Sequence, residues 1–321
     1  MIASLFRHAR LLVAPAGSRP SLTRVQLKDH GDAINLRYSG SAETLNFLTA
    51  LLFQAPGVAT DAAPGLAAPD LIITERSPLS SAVHPARAPI RAPAWISQRI
   101  ALRYGDDPHA LFSRHLRREV ERQTRRHGYR LELRSDEAGR RTFYHDLYRP
   151  YVQARFAGQA IAVSEDTFLQ RSAGQMLACL HTQSTWVAGM LLKTQGAQLR
   201  FGWFGALSDP PPPGASEVLD AAVIRWAAGR GLREVVLGHS RPSWNDGVLR
   251  YKRRFGAQVR ATPFPQPRID VEVPRPSAAL AAALDAASLI RIEQGQPRLH
   301  RVRCERGRLV VELEPCGEAH A

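Results

Sequence analysis

Lysine is almost missing from this chain: it occurs only at Lys28, Lys193 and Lys252, so nearly all the positive charge is arginine. Cysteine is scarce too. Cys179, Cys304 and Cys316 are odd in number and lack CxxC spacing, which excludes a disulfide framework and a zinc site of the usual kind and fits a reducing compartment. No unbroken apolar run approaches the ~20 residues of a bilayer-crossing helix. The first residues, Met1 to Arg10, scatter arginines through a short apolar stretch and offer no secretory pattern. A cytoplasmic protein is expected, with peripheral association to the inner membrane face as a variant. No Ser-His-Asp order, HExxH or P-loop is present, and no metal is expected.

What the chain does contain is enough for a substantial core. Its 321 residues are 44% hydrophobic and 22% charged, suited to two compact units at ~100 to 200 residues per domain. Forty-three basic against 29 acidic residues leave +14, a balance that favours anionic partners such as nucleic acid, phosphates or acidic lipid. A codon bias toward arginine produces the same skew, so charge alone assigns no function.

Composition divides the chain into residues 1–93, 94–268 and 269–321. In the first part Ala33 to Tyr38 alternates as a strand, Ser41 caps a helix carrying Leu45, Phe47, Leu48, Leu51 and Leu52, and Leu71 to Thr74 is a short strand. Ser77 to Pro93 holds four prolines and reads as a linker. In the second part Trp95 to Leu102 is a strand. Asp106-Asp107-Pro108 then starts a helix that Gly128 ends, with Leu111, Phe112, Leu116 and Val120 among Arg114, Arg117, Arg118, Arg122, Arg125 and Arg126.

Helices are expected over Thr142 to Ala157 and Ser164 to Ala173, followed by a hairpin, Met176 to Gln183 and Thr185 to Thr194, and a strand from Gln198 to Gly205. Four prolines, Pro210 to Pro213, precede a helix from Ser216 that Gly229 and Gly231 close. Glu234 to Gly238 is a buried strand and Asn245 to Phe255 a short helix capped by Asn245 and ended by Gly256. The last part reads as a helix, Ser277 to Ala287, and three strands with turns at Gln294-Gly295 and Arg306-Gly307. The layout is α+β, with α/β layering and helices over both sheet faces.

The stretch Gly238-His239-Ser240-Arg241-Pro242-Ser243-Trp244-Asn245-Asp246-Gly247-Val248-Leu249-Arg250-Tyr251-Lys252 follows the buried strand, where strand ends gather ligands and a helix N-terminus attracts anions. Taken with Phe143-Tyr144, Arg155-Phe156 and the strand Val187 to Leu192, it resembles the C-terminal half of GNAT-fold acyltransferases of the Fem-type and CelD-like branch. The resemblance spans about Pro108 to Gln258. It implies a splayed mixed sheet that binds an acyl donor, twinned if Ile34 to Leu102 is a degenerate first copy, with the C-terminal meander appended. It places the counterparts of Tyr251 and Lys252 near the activated acyl end. It also implies, through the CelD-like relatives, that Tyr144 and Arg155 border the acceptor cleft, and that the acceptor is an amine of an anionic cell-envelope or polysaccharide precursor.

Acyl transfer needs an oxyanion partner, a proton donor for the leaving group and a base. Lys252 suits the first role and Tyr251 the second, with His239 or Asp246 as base. Trp203 and Trp244 can stack on acceptor rings, Asn245 caps the helix beside them, and Gly238 and Gly247 are the backbone positions expected beside the donor. Acyl-CoA is one donor class and aminoacyl-tRNA the other. Where acetyl-CoA-dependent relatives carry a glycine-rich pyrophosphate loop, this chain reads Leu207-Ser208-Asp209-Pro210-Pro211-Pro212-Pro213-Gly214-Ala215, and four prolines have no N–H to give. The alternative is a non-catalytic GNAT-fold protein that binds RNA or an acidic membrane surface through its arginine helix.

Overall fold

The computed structural model describes residues 21–27, 32–53, 68–78, 88–103, 105–156, 163–183 and 185–316. The reading of Met1 to Arg10 lies outside them. The chain begins with β1 (Ser21–Gln26), β2 (Ala33–Ser39), α1 (Ala42–Leu52), β3 (Leu71–Arg76), β4 (Ile90–Pro93) and β5 (Ile96–Ala101). A 3-10 turn (Pro108–Leu111) leads to α2 (Arg114–His127), β6 (Tyr129–Arg134), α3 (Glu137–Thr142), a π-helical turn (Phe143–Tyr148), α4 (Arg149–Phe156) and α5 (Glu165–Ser172). Next come β7 (Met176–Thr182), β8 (Thr185–Gln195), β9 (Gln198–Ala206), α6 (Ala215–Gly229), β10 (Glu234–Ser240) and α7 (Gly247–Arg253). The chain closes with β11 (Gln258–Arg260), β12 (Arg268–Glu272), α8 (Ala278–Ala286), β13 (Ile290–Glu293), β14 (Gln296–Glu305) and β15 (Arg308–Pro315). This is an α+β protein built on open mixed sheets.

Two compact units emerge, residues 1–97, 239–250 and 259–320 in the first and residues 98–238 and 251–258 in the second. The first has the sheet β1-β2-β3-β12-β4, in which β2 and β3 run parallel through α1 and the other pairs are antiparallel. Ser41 accepts from the Thr44 N–H and so starts α1 as expected. Ile90 to Pro93 forms a strand where a linker was expected, because β12 supplies an antiparallel partner for it. Residues 79–87 of that stretch lie outside the described set. Leu280, Ala281 and Leu284 of α8 join Leu36, Ile73 and Val271 in the core. The three-stranded meander β13-β14-β15 turns at Gln294-Gly295 and Arg306-Gly307, all with positive φ, as two-residue hairpins require.

In the second unit β6, β7, β8 and β9 are antiparallel neighbours, and α6 crosses over to make β10 parallel to β9. That last pairing is brief. It runs from Gln198↔Glu234 to Arg200↔Val236 and stops, although β9 continues to Ala206 and β10 to Ser240. The sheet is therefore splayed, in the GNAT-like manner expected. Gly189 and Gly205 face each other across β8 and β9, and the π-helical turn sits against them: a Cβ on Gly205 would stand 2.7 Å from the Tyr148 backbone.

Three helix starts differ from the sequence reading. Asp107 caps only the 3-10 turn, and Ser113 restarts the chain as α2 by accepting from Leu116. Asp136 accepts from the Gly139 N–H and opens α3 ahead of Thr142. Gly214, at φ 71°, precedes α6, so the helix begins at Ala215 and not at Ser216.

Candidate functional site

Two consecutive residues in the last turn of α7 organise the site. Helical side chains one position apart diverge by about 100°, and these two reach different elements of the second unit. The Tyr251 hydroxyl donates to Asp220 Oδ2 on α6 at 2.8 Å. The Lys252 ammonium donates to Gln98 Oε1 on β5 at 3.1 Å, with the lysine only 9% exposed. Gly238, at φ 83°, lies two residues beyond the last β9–β10 pair; a Cβ on it would stand 3.9 Å from Lys252 Nζ. The ammonium thus flanks the place where the two strands part.

Removal from water dominates the electrostatics. It pushes the Asp220 carboxyl from 3.8 up to about 7, with the Tyr251 hydrogen bond opposing, the Glu217 charge adding and the Lys252 charge opposing. Tyr251 is raised well above the usual phenol value by burial and then by the negative charges of Asp220 and Glu217. The pair is a phenol that holds its proton beside a carboxyl that titrates near neutrality.

Asp220 and Gln98 were not found from sequence. Asp220 carried a signal: it is an acid set between Leu219 and Ala221, two buried residues of a helix whose buried residues are all apolar. Gln98 carried none, since its role depends on β5 lying under Lys252.

The remaining predicted residues fall elsewhere. Asp246 is the cap of α7, its Oδ1 accepting from the Leu249 N–H at 2.7 Å, which corrects the assignment of that cap to Asn245. Asn245 is exposed and donates its amide to the Ala286 carbonyl at 2.8 Å. Gly247 is the first residue of α7, and His239 is exposed on β10. Trp244 packs with Ile96, Leu249 and Ile290. Tyr144 is buried and donates to the Val163 carbonyl at 2.9 Å. Trp203 stacks on Phe168 at 5.1 Å between centroids. Arg155 is exposed, pairs with Asp209 at 3.2 Å and lies over the Tyr151 ring. Of the residues predicted, Lys252 and Gly238 come together, while Tyr251, next to Lys252 in sequence, turns to Asp220.

The segment before α6 offers few N–H groups to a pyrophosphate. Pro210 to Pro213 donate nothing, and the Ala215 N–H is already bonded to the Pro212 carbonyl at 2.9 Å. Gln123 packs against the Cα of Gly214, and the Tyr129 hydroxyl takes the Pro213 carbonyl at 3.0 Å. By contrast Arg114, Arg118, Arg125 and Arg126 are exposed on α2, and no ion pair holds them among the described residues. No helix among those residues is long and apolar enough to cross a membrane, and no cluster of three metal-ligating side chains occurs among them.

No protein-family model matches this chain, and no curated protein matches it. Solved structures overlay on it at low identity. FemX matches with TM-score 0.42 and 12% identity, over 83% of this chain and 95% of its own. L-PGS from Bacillus licheniformis matches with TM-score 0.42 and 12% identity, over 80% and 85%. The C-terminal DUF2156 domain of a candidate lysylphosphatidylglycerol synthetase from Agrobacterium fabrum matches with TM-score 0.41 and 13% identity, over 78% and 83%. Likenesses at this level leave the chemistry to be read from the chain's own residues.

Proposed function

We propose that this chain is an N-acyltransferase that moves an acyl group from an activated donor to an amine. The observation that carries the reading is the buried ammonium of Lys252 beside Gly238, where β10 leaves β9, with the half-buried phenol of the adjacent Tyr251 bonded to Asp220, a carboxyl that feels the Lys252 charge. The amine nitrogen attacks the donor carbonyl carbon, and the C=O π pair moves onto oxygen. Lys252 meets that developing negative charge in a site largely closed to water. As the intermediate collapses, the bond from carbon to the leaving oxygen breaks and Tyr251 gives that oxygen its proton. The protonated Asp220 carboxyl restores the phenol, and the proton shed by the amine returns to Asp220. Asp220 takes the acid-base work first assigned to His239 or Asp246, whose carboxylate is engaged as a cap.

Of the two donor classes, an aminoacyl ester of tRNA is favoured over acyl-CoA. With four prolines and the Ala215 N–H bonded to Pro212, the turn into α6 offers few N–H groups to a pyrophosphate, whereas Arg114, Arg118, Arg125 and Arg126 on α2 suit a sugar-phosphate backbone. The acceptor follows the sequence resemblance: an amine on an anionic cell-envelope or polysaccharide precursor, met in the cytoplasm or at the inner membrane face.

The test is thermal stability of the protein against acetyl-CoA, longer acyl-CoAs, charged and uncharged tRNA and nucleotide sugars, in parallel with Lys252→Ala. Charged tRNA should raise the melting temperature of the native protein more than uncharged tRNA does, and the variant should lose that difference. Transfer to an amine should fall by about 10² to 10³ in the variant, as when one oxyanion partner is removed. Equal stabilisation of both forms by charged and uncharged tRNA, with no transfer, would point instead to an RNA-binding protein without chemistry.

A further inference from the structure

We infer that the first unit holds a nucleotide-binding cavity formed by Arg91, Trp95, Gln266, Arg268 and Arg291, a site that shares no residue with the acyl-transfer machinery. The cavity is about 350 Å³, within the range that small ligands occupy.

Strand register explains why arginines gather there. Arg91 lies opposite Asp270 and Pro93 opposite Arg268 across β4 and β12, and directly opposed residues share a sheet face. Alternation sends Ile90, Ala92, Ile269 and Val271 into the core. Arg91, Pro93, Arg268 and Asp270 are left together on the other face. Asp270, 1% exposed, is gripped by Arg268 at 2.7 and 3.1 Å and by Arg76 at 2.7 Å. Two guanidiniums on one carboxylate leave one positive charge. Arg91 donates to the Ala88 carbonyl at 3.2 Å and meets no carboxylate among the described residues, which adds a second. Arg291 is balanced by Glu293 at 3.2 Å. The surplus of two positive charges matches a phosphomonoester dianion, which guanidinium forks bind bidentately.

The rest of the wall suits a flat ring. Trp95, Pro93, Pro267 and Ile292 line it, and Arg241 stacks on Trp95 at 3.8 Å from the ring centroid, which fixes the plane of the indole. Phosphate at the arginines and base at Trp95 together describe a nucleoside monophosphate.

Calorimetric titration of the full chain with AMP, adenosine and inorganic phosphate tests this. AMP should bind, with adenosine and phosphate each weaker by about tenfold or more, the size of one lost charged hydrogen bond. Arg91→Gln should weaken AMP by a similar factor, and Trp95→Leu should weaken AMP while leaving phosphate unchanged. Among the described residues Arg91 makes a single side-chain hydrogen bond, so its variant keeps the test open if Trp95→Leu does not fold. No heat from AMP at millimolar concentration, phosphate binding as tightly as AMP, or a folded Arg91→Gln of unchanged affinity would each overturn the assignment. None of these results bears on acyl transfer.

Discussion

Each unit sets an aspartate against a side-chain partner, and the partners differ in kind. In the first, Asp270 lies between the guanidiniums of Arg76 and Arg268. In the second, Asp220 meets a phenol, with Lys252 acting on it only through its charge, and the carboxyl rises to about 7. The same side chain becomes a brace between β3 and β12 in one place and a proton reservoir in the other. The partner decides: charge matched by charge holds strands together, whereas charge matched by a neutral donor leaves a proton in play.

The largest effect should come from removing the brace. Asp270→Ala leaves two guanidiniums without their carboxylate and should destabilise the first unit by about 3 kcal/mol, the low end for breaking a buried pair because both arginines retain some water. Urea unfolding would measure it. A loss under about 1 kcal/mol would place the pair with ordinary surface ion pairs and end the contrast.

A smaller and pH-dependent effect is expected at the reservoir. An acid whose folded value is raised contributes stability that is fully present below its unfolded 3.8 and is lost as pH rises through about 7. Asp220→Asn keeps an acceptor for Tyr251 and removes that loss. Its melting temperature should match the native protein near pH 4 and exceed it increasingly up to about pH 8. Parallel curves across that range would show that Asp220 is not perturbed.

The smallest effect belongs to a charge outside both arrangements. Arg118→Gln, on the exposed face of α2, should change stability by less than about 0.5 kcal/mol. It should nonetheless lower the slope of log K against log salt for tRNA binding by about one. An unchanged slope would remove α2 from the RNA interface.

What was legible in the sequence was local. Ser41, Ser164 and Ser277 each bond the backbone N–H three residues on, and the Gln-Gly and Arg-Gly turns close the meander as their φ preferences dictate. Tyr251 and Lys252 were singled out by the family resemblance, and Lys252 also by the rarity of lysine among arginines. β12 was not: its Arg-Ile-Asp-Val-Glu alternation is only five residues long, follows a proline, and gains meaning from partners far away in sequence. Gln98 and Asp220 were missed for the same reason. A polar residue in a strand or a helix declares its use only when the element bearing its partner is packed against it.

β12 has one more consequence, in the order in which the molecule is made. Arg76 and Asp270, which link β3 to β12, are 194 residues apart. At a synthesis rate of about 5 to 20 residues per second, β3 waits roughly 10 to 40 s on the ribosome before the strand that covers its edge is made. Residues 98–258 emerge within that interval and can complete the second unit's sheet while the first is unfinished. The nascent chain therefore carries an unpaired strand edge through most of its own translation, the condition in which strands capture one another between chains. A chaperone that occupies that edge until residue 272 appears would raise the yield of folded protein without touching its final stability.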